Sequence, residues 1–150
     1  MDNSVNKVPM HLWIVGGLAT LWNAYGCYNY FMTRTQGAAY IESAMPTIDG
    51  GAMMAYINSF PIWASIGWGL GVWGGLAGSI LLLVRHRWAV ATLGLSFVGA
   101  VAGIGYQIAN PADIAETHQG LNGIVHYIIL AVALGLFVYA RAMRIKGVLR

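Results

Sequence analysis

Residues 61–84 read PIWASIGWGLGVWGGLAGSILLLV and stop at Arg85-His86-Arg87. No charge interrupts the run for about 24 residues, which at about 1.5 Å per residue covers the roughly 30 Å hydrocarbon core of a bilayer. A chain with such a run is built for a membrane. Within it Gly67, Gly71, Gly75 and Ser79 recur at every fourth position, so one helix face lacks side-chain bulk and a neighbouring backbone can approach along it. These four are expected to be helix-packing residues, set against another helix of the chain or in a subunit contact.

Three further stretches, 12–32, 88–108 and 121–140, are apolar apart from uncharged polar groups and one histidine. Each is long enough for a tilted transmembrane helix. Composition agrees: 58% of residues are hydrophobic and only 9% charged, too few charges to coat a water-soluble domain. The expected fold is all-α, an integral membrane four-helix bundle in which residues 1–150 form a single transmembrane domain.

Orientation follows from the basic residues, which collect on cytoplasmic flanks. Lys7 precedes the first stretch, Arg85 and Arg87 join the second and third, and Arg141, Arg144, Lys146 and Arg150 follow or close the fourth. The two remaining loops hold Arg34, Glu42 and Asp49, and Asp113 and Glu116, and are net acidic. Both termini are therefore expected in the cytoplasm of a bacterium, the chain being a multi-pass protein of the inner membrane. The start, MDNSVNKVPMHLW, has no small-residue cleavage site, so the first span is expected to be retained. Topology and contact with anionic lipid account for the formal charge of +3, and nucleic acid is not an expected partner.

The longer acidic loop contains the turn-like Asp49-Gly50-Gly51 and then AMMAYINSF, which suits a short interfacial helix before Pro61 opens the next span. In the shorter loop, Asn110 is expected to cap, Pro111 to start and Asp113 to occupy the first turn of a surface helix.

No Asp, Glu, Lys or Arg lies within the four central stretches, which weighs against an ion-coupled pump or proton relay. The candidates for binding are Asn23, Asn29, Tyr30, Tyr106, Gln107, Asn122 and His126, which all fall in the outer half of the bundle. Amide, phenol and imidazole groups suit a neutral polar ligand or a quinone headgroup. The plainer reading makes Asn23 an interhelical hydrogen bond, worth about 0.6–2 kcal/mol, and His126 a hydrogen-bonding core residue. Asn23 belongs to a seam of Gly16, Thr20, Asn23, Cys27 and Tyr30 at helical spacing.

Cys27 is the single cysteine, and no Cys/His cluster has the spacing of a metal site. Bis-histidine haem ligation needs two histidines at matching depth on facing helices. His11 and His86 share the cytoplasmic edge with His86 between two arginines, while His126 has only His118 of its own segment on its side. No cofactor, metal or catalytic residue is expected. There is no Walker loop, GxSxG or HExxH, and the chain is not expected to be an enzyme.

The stretches HLWIVGGLATLWNAYGCYNYFMTRTQ and FPIWASIGWGLGVWGGLAGSILLLVRHRWAV resemble a group of small four-span alphaproteobacterial inner-membrane proteins, some labelled putative sugar transporters. The resemblance covers roughly the first two thirds of the chain, and Asn29 stands where those proteins often carry an acidic residue. It implies an inner-membrane location and, through the label, a carrier. The residues themselves favour a non-catalytic structural or accessory subunit of a membrane assembly, self-associated or joined to other membrane subunits and lipids. A carrier or channel for a neutral, sugar-like solute is the alternative, and a quinone- or haem-binding protein the third.

Overall fold

The structure, a computed structural model, describes residues 8–114, 117 and 120–150, with the side chains of Leu121 and Asn122 excepted. Among the described residues the regular structure is entirely helical: α1 (Met10–Gln36), α2 (Ala38–Ala44), α3 (Gly50–Asn58), α4 (Ile62–Leu83), α5 (Ala89–Ala109) and α6 (Gly120–Ile145). Three helical segments, Ile62–Leu83, Ala89–Ala109 and Gly123–Ile145, are long and apolar enough to cross a membrane, and the chain is a membrane protein. α1 is longer, at 27 residues, but Thr20, Asn23, Asn29, Thr33 and Arg34 make it more polar.

The chain turns out of α1 at Gly37, whose φ of +58° falls where residues bearing a Cβ are strained. α2 follows at once, an element that the sequence pattern did not indicate. Asp49 caps α3, its carboxylate accepting the Ala52 N–H at 2.7 Å, which realises the expected interfacial helix. Pro61 stands one position ahead of α4. The expected cap at Asn110 is corrected: it sits at the C-terminal end of α5, where its Nδ2 donates to Tyr106 O at 3.1 Å. Residues 111–114 carry no helix, because the Asn110 side chain serves the orphan carbonyls behind it and not the amides ahead. Glu116 lies outside the described residues.

The long helices pack in chain order, α1 on α4, α4 on α5 and α5 on α6, with the α4–α5 pair the most intimate. Small residues make that pair possible. A Cβ on Gly99 would lie 2.7 Å from Gly71 N and 2.8 Å from Gly67 O, and one on Gly103 would lie 2.8 Å from Trp68 N. α6 is the least covered: Ile124, Tyr127, Leu134 and Val138 are exposed along it.

At the end carrying the arginines the bundle is solid. Leu12, Leu82, Leu93, Ala140, Met143, Val148 and Leu149 form one buried cluster, and His11 Nδ1 is hydrogen-bonded to Tyr139 Oη at 2.5 Å, tying α1 to α6. The chain after α6 folds back onto the α4–α5 turn: Arg150 N donates to Arg85 O at 2.8 Å, Arg87 N donates to Arg150 O at 2.6 Å, and Arg85 Nε donates to Val148 O at 3.1 Å. These bonds hold Arg85 at a φ of +61°, a conformation that costs free energy outside glycine.

Candidate functional site

Towards the α3 end α1 and α6 part, and a cavity of about 480 Å³ opens between them, backed by α4 and α5. Each wall can be traced to a helical repeat. α1 contributes Asn23, Gly26, Tyr30 and Thr33 at spacings of three or four, which lie along one face. α6 contributes Val125, Ile129, Val132 and Leu136 at the same spacing. The back wall is Gly71, Val72 and Gly75 of α4 with Ser96, Ala100 and Ile104 of α5, and Met45, Met53, Ile57 and Phe60 roof it.

The polar groups are few and mostly engaged. Asn23 Nδ2 donates to Ala19 O at 2.8 Å and across the helix pair to Ser79 Oγ at 3.1 Å. Ser79 Oγ in turn donates to Gly75 O at 2.8 Å. Ser96 Oγ donates to Gly71 O at 2.6 Å, stitching α5 to α4, and Cys27 Sγ donates to Val72 O at 3.5 Å. Gln107 and His126 face each other from α5 and α6, with Oε1 and Nε2 3.2 Å apart. Tyr40 of α2 donates to Asn29 Oδ1 at 2.5 Å, and Asn29 Nδ2 donates to Tyr25 O. Among the described residues, Asn23 Oδ1, the hydroxyls of Tyr25, Tyr30 and Thr33 and the Trp22 indole N–H have no hydrogen-bond partner, and none of them is sealed from solvent. These groups belong to α1.

Asn23, Asn29, Tyr30, Gln107 and His126 line the one cavity. Tyr106 does not: its ring packs against Phe60 at 5.2 Å and Trp63 at 5.6 Å between centroids. Successive helical residues diverge by about 100°, so Tyr106 and Gln107 cannot share a face. The Asn122 side chain lies outside the described residues. Ser96 and Thr33 are not among the sequence candidates, since a lone hydroxyl in an apolar helix carries no signal of its own; the helical spacing of Thr33 from Tyr30 was an available clue, and Ser96 offered none.

The small-residue positions divide between two neighbours. Gly67 and Gly71 lie against Gly99, Ala100 and Gly103 of α5, whereas a Cβ on Gly75 would collide with the Asn23 carboxamide of α1, and Ser79 bonds Asn23. Gly74 and Gly78 continue the α5 contact, against Ser96 and Leu93.

A second cavity of about 310 Å³ adjoins the first beside Ile108, Pro111, Ala112 and Thr117 and shares Met45, Met53, Tyr56, Gln107 and His126 with it. The Gln107–His126 pair stands at the neck. Tyr56 closes this side by donating to Asn110 O at 2.7 Å; burial, with the neighbouring Tyr106, pushes its pKa up, so it remains a donor. Among the described residues no three of His, Cys, Asp or Glu come together. No family model, curated protein or solved structure matches the chain.

Proposed function

We propose that the chain is a four-span protein of the bacterial inner membrane, both termini cytoplasmic, that binds a small uncharged molecule in the cavity between α1 and α6 without transforming it. The observation that carries this reading is the composition of the wall. Asn23, Asn29, Tyr30, Thr33, Ser96, Gln107 and His126, from three helices, converge on a space of about 480 Å³ that, among the described residues, is lined by no Asp, Glu, Lys or Arg. A charged ligand would shed its hydration there with nothing to replace it, at a cost of several kcal/mol. An uncharged one gains apolar contact and a few oriented hydrogen bonds, the usual composition of a binding pocket.

The cavity is also blind. The apolar cluster from Leu12 to Leu149 fills the arginine-bearing end, which favours holding a molecule over conducting one and argues against a channel. Binding would lend stability to the folded protein, about 2.7 kcal/mol at a hundredfold excess over Kd. Melting temperature in detergent, measured against uncharged compounds from glucose and sorbitol to short-chain quinones, should rise with at least one of them. The rise should vanish in Asn23→Leu and His126→Phe. Absence of any rise in the wild type would reject the reading.

A non-catalytic accessory subunit is the second reading, and α6 favours it. Its exposed Ile124, Tyr127, Leu134 and Val138 give a partner helix, or a second copy, as much purchase as they give lipid. The two roles are compatible. A sugar carrier, the role implied by the resemblance to putative sugar transporters, would need a second conformation that opens the arginine-bearing end.

A further inference from the structure

We infer that the molecule bound is lipid-soluble, a ring carrying carbonyl or hydroxyl oxygens as a quinone headgroup does, and that it reaches the cavity sideways through the slot between α1 and α6; this rests on the binding reading above. The openings decide the route. α1 and α6 meet at the arginine-bearing end, where His11 is bonded to Tyr139, but they are not packed along the level of the cavity. Trp22 and Tyr25, which line it from α1, are 42% and 65% exposed. In a bilayer that slot faces acyl chains.

The route from water is the harder one. It passes the second cavity and then the neck, where Gln107 and His126 are bonded to each other beneath Met45, Met53 and Tyr56. A solute arriving that way must part the pair, whereas one already dissolved in lipid need not.

Chemistry points the same way. A sugar presents a hydroxyl at almost every carbon, and each buried hydroxyl needs a partner. On the α1 wall Asn23 Oδ1, the hydroxyls of Tyr25, Tyr30 and Thr33 and the Trp22 indole N–H lack one among the described residues. Trp22 and Tyr25 stand at the exposed slot, which leaves the inner three groups for one or two oxygens on a ring. The remaining surface is apolar and aromatic, with Trp22, Trp68 and Phe60 as platforms for a flat body.

Gly26 offers the test. It lines the cavity from α1, and a Cβ built on it meets nothing within 4 Å, so Gly26→Leu places its side chain in ligand space from a Cβ that is clear of the neighbouring helices. Gly135 of α6 is equally open but does not line the cavity, and Gly135→Leu is its control. The probe is decylubiquinone titrated into protein held in phosphatidylcholine nanodiscs, read by quenching of tryptophan emission, with glucose and sorbitol in parallel. Wild type and Gly135→Leu should show saturable quenching of equal affinity, weakened about tenfold or more in Gly26→Leu, and no response to either polyol. Equal affinities in Gly26→Leu and Gly135→Leu, or no saturable component in the wild type, would overturn the inference. If glucose or sorbitol instead gives a saturable change that Gly26→Leu abolishes, the cavity binds but is filled from water: the inference falls and the binding reading stands. If neither probe binds, both fall.

Discussion

Gly75 and Asn23 form the tightest constraint in the cavity wall, because the carboxamide occupies the space that any side chain at position 75 would need. The amide nitrogen anchors it there twice, donating to Ala19 O on its own helix and to Ser79 Oγ across the pair. Gly75→Ala should therefore swing Asn23 out of place and cost about 1–3 kcal/mol, the usual range for overpacking. The same substitution in an Asn23→Ala background should cost clearly less, since the colliding group is gone. Thermal melts of the four proteins of this cycle measure the coupling; purely additive losses would mean that the carboxamide is not what excludes a side chain at position 75.

At the scale of elements, α4 and α5 are held together by backbone approach and α1 by side-chain hydrogen bonds. Gly99 and Gly105 separate the first of these from mere glycine content. Gly99→Ala would drive a methyl group into the backbone of Gly67 and Gly71, while the same change at Gly105 meets open space. The expected outcomes have opposite signs: a loss of about 1–3 kcal/mol at Gly99 and a gain of up to about 1 kcal/mol at Gly105 from helix propensity. Equal effects in thermal melts would show that close packing of this pair contributes little.

The long helices and the α1 seam were legible in the sequence because both depend only on local composition and period. Asn23, Cys27 and Tyr30 do meet α4, at Ser79, Val72 and Trp68. What could not be read was which neighbour each face would meet. Steps of four residues advance about 400°, so a stripe from Gly67 to Ser79 drifts by about 120° and passes from α5 to α1. Keeping to α5 takes alternating steps of four and three, as Gly67, Gly71, Gly74 and Gly78 do. Tyr106 illustrates the converse, since its position near the end of α5 was legible and direction around the helix was not weighed. α2 and the turn at Asn110 escaped notice because short elements are set by tertiary contacts, here Tyr40 with Asn29 and Tyr56 with Asn110.

Taken whole, the molecule is closed at one end and open at the other. The closed end gathers the basic residues Arg85, Arg87, Arg144 and Arg150 with the apolar cluster and the returning chain, and the open end carries α2, α3 and the cavities. If the basic residues mark the cytoplasm, single cysteines introduced at Asp49 and Asp113 in a Cys27→Ser background should react with a membrane-impermeant maleimide added to intact cells with permeabilised outer membranes. Cysteines at His86 and Arg150 should not. Reaction at His86 would invert the orientation and place the cavity on the cytoplasmic side. Occupancy of that cavity is the central claim, and native mass spectrometry of the protein transferred directly from its own membrane into nanodiscs tests it most directly. A wild-type mass increased by one small uncharged molecule, with Gly26→Leu carrying none, is the expected result; a bare wild-type mass, or an adduct retained equally by Gly26→Leu, would contradict it.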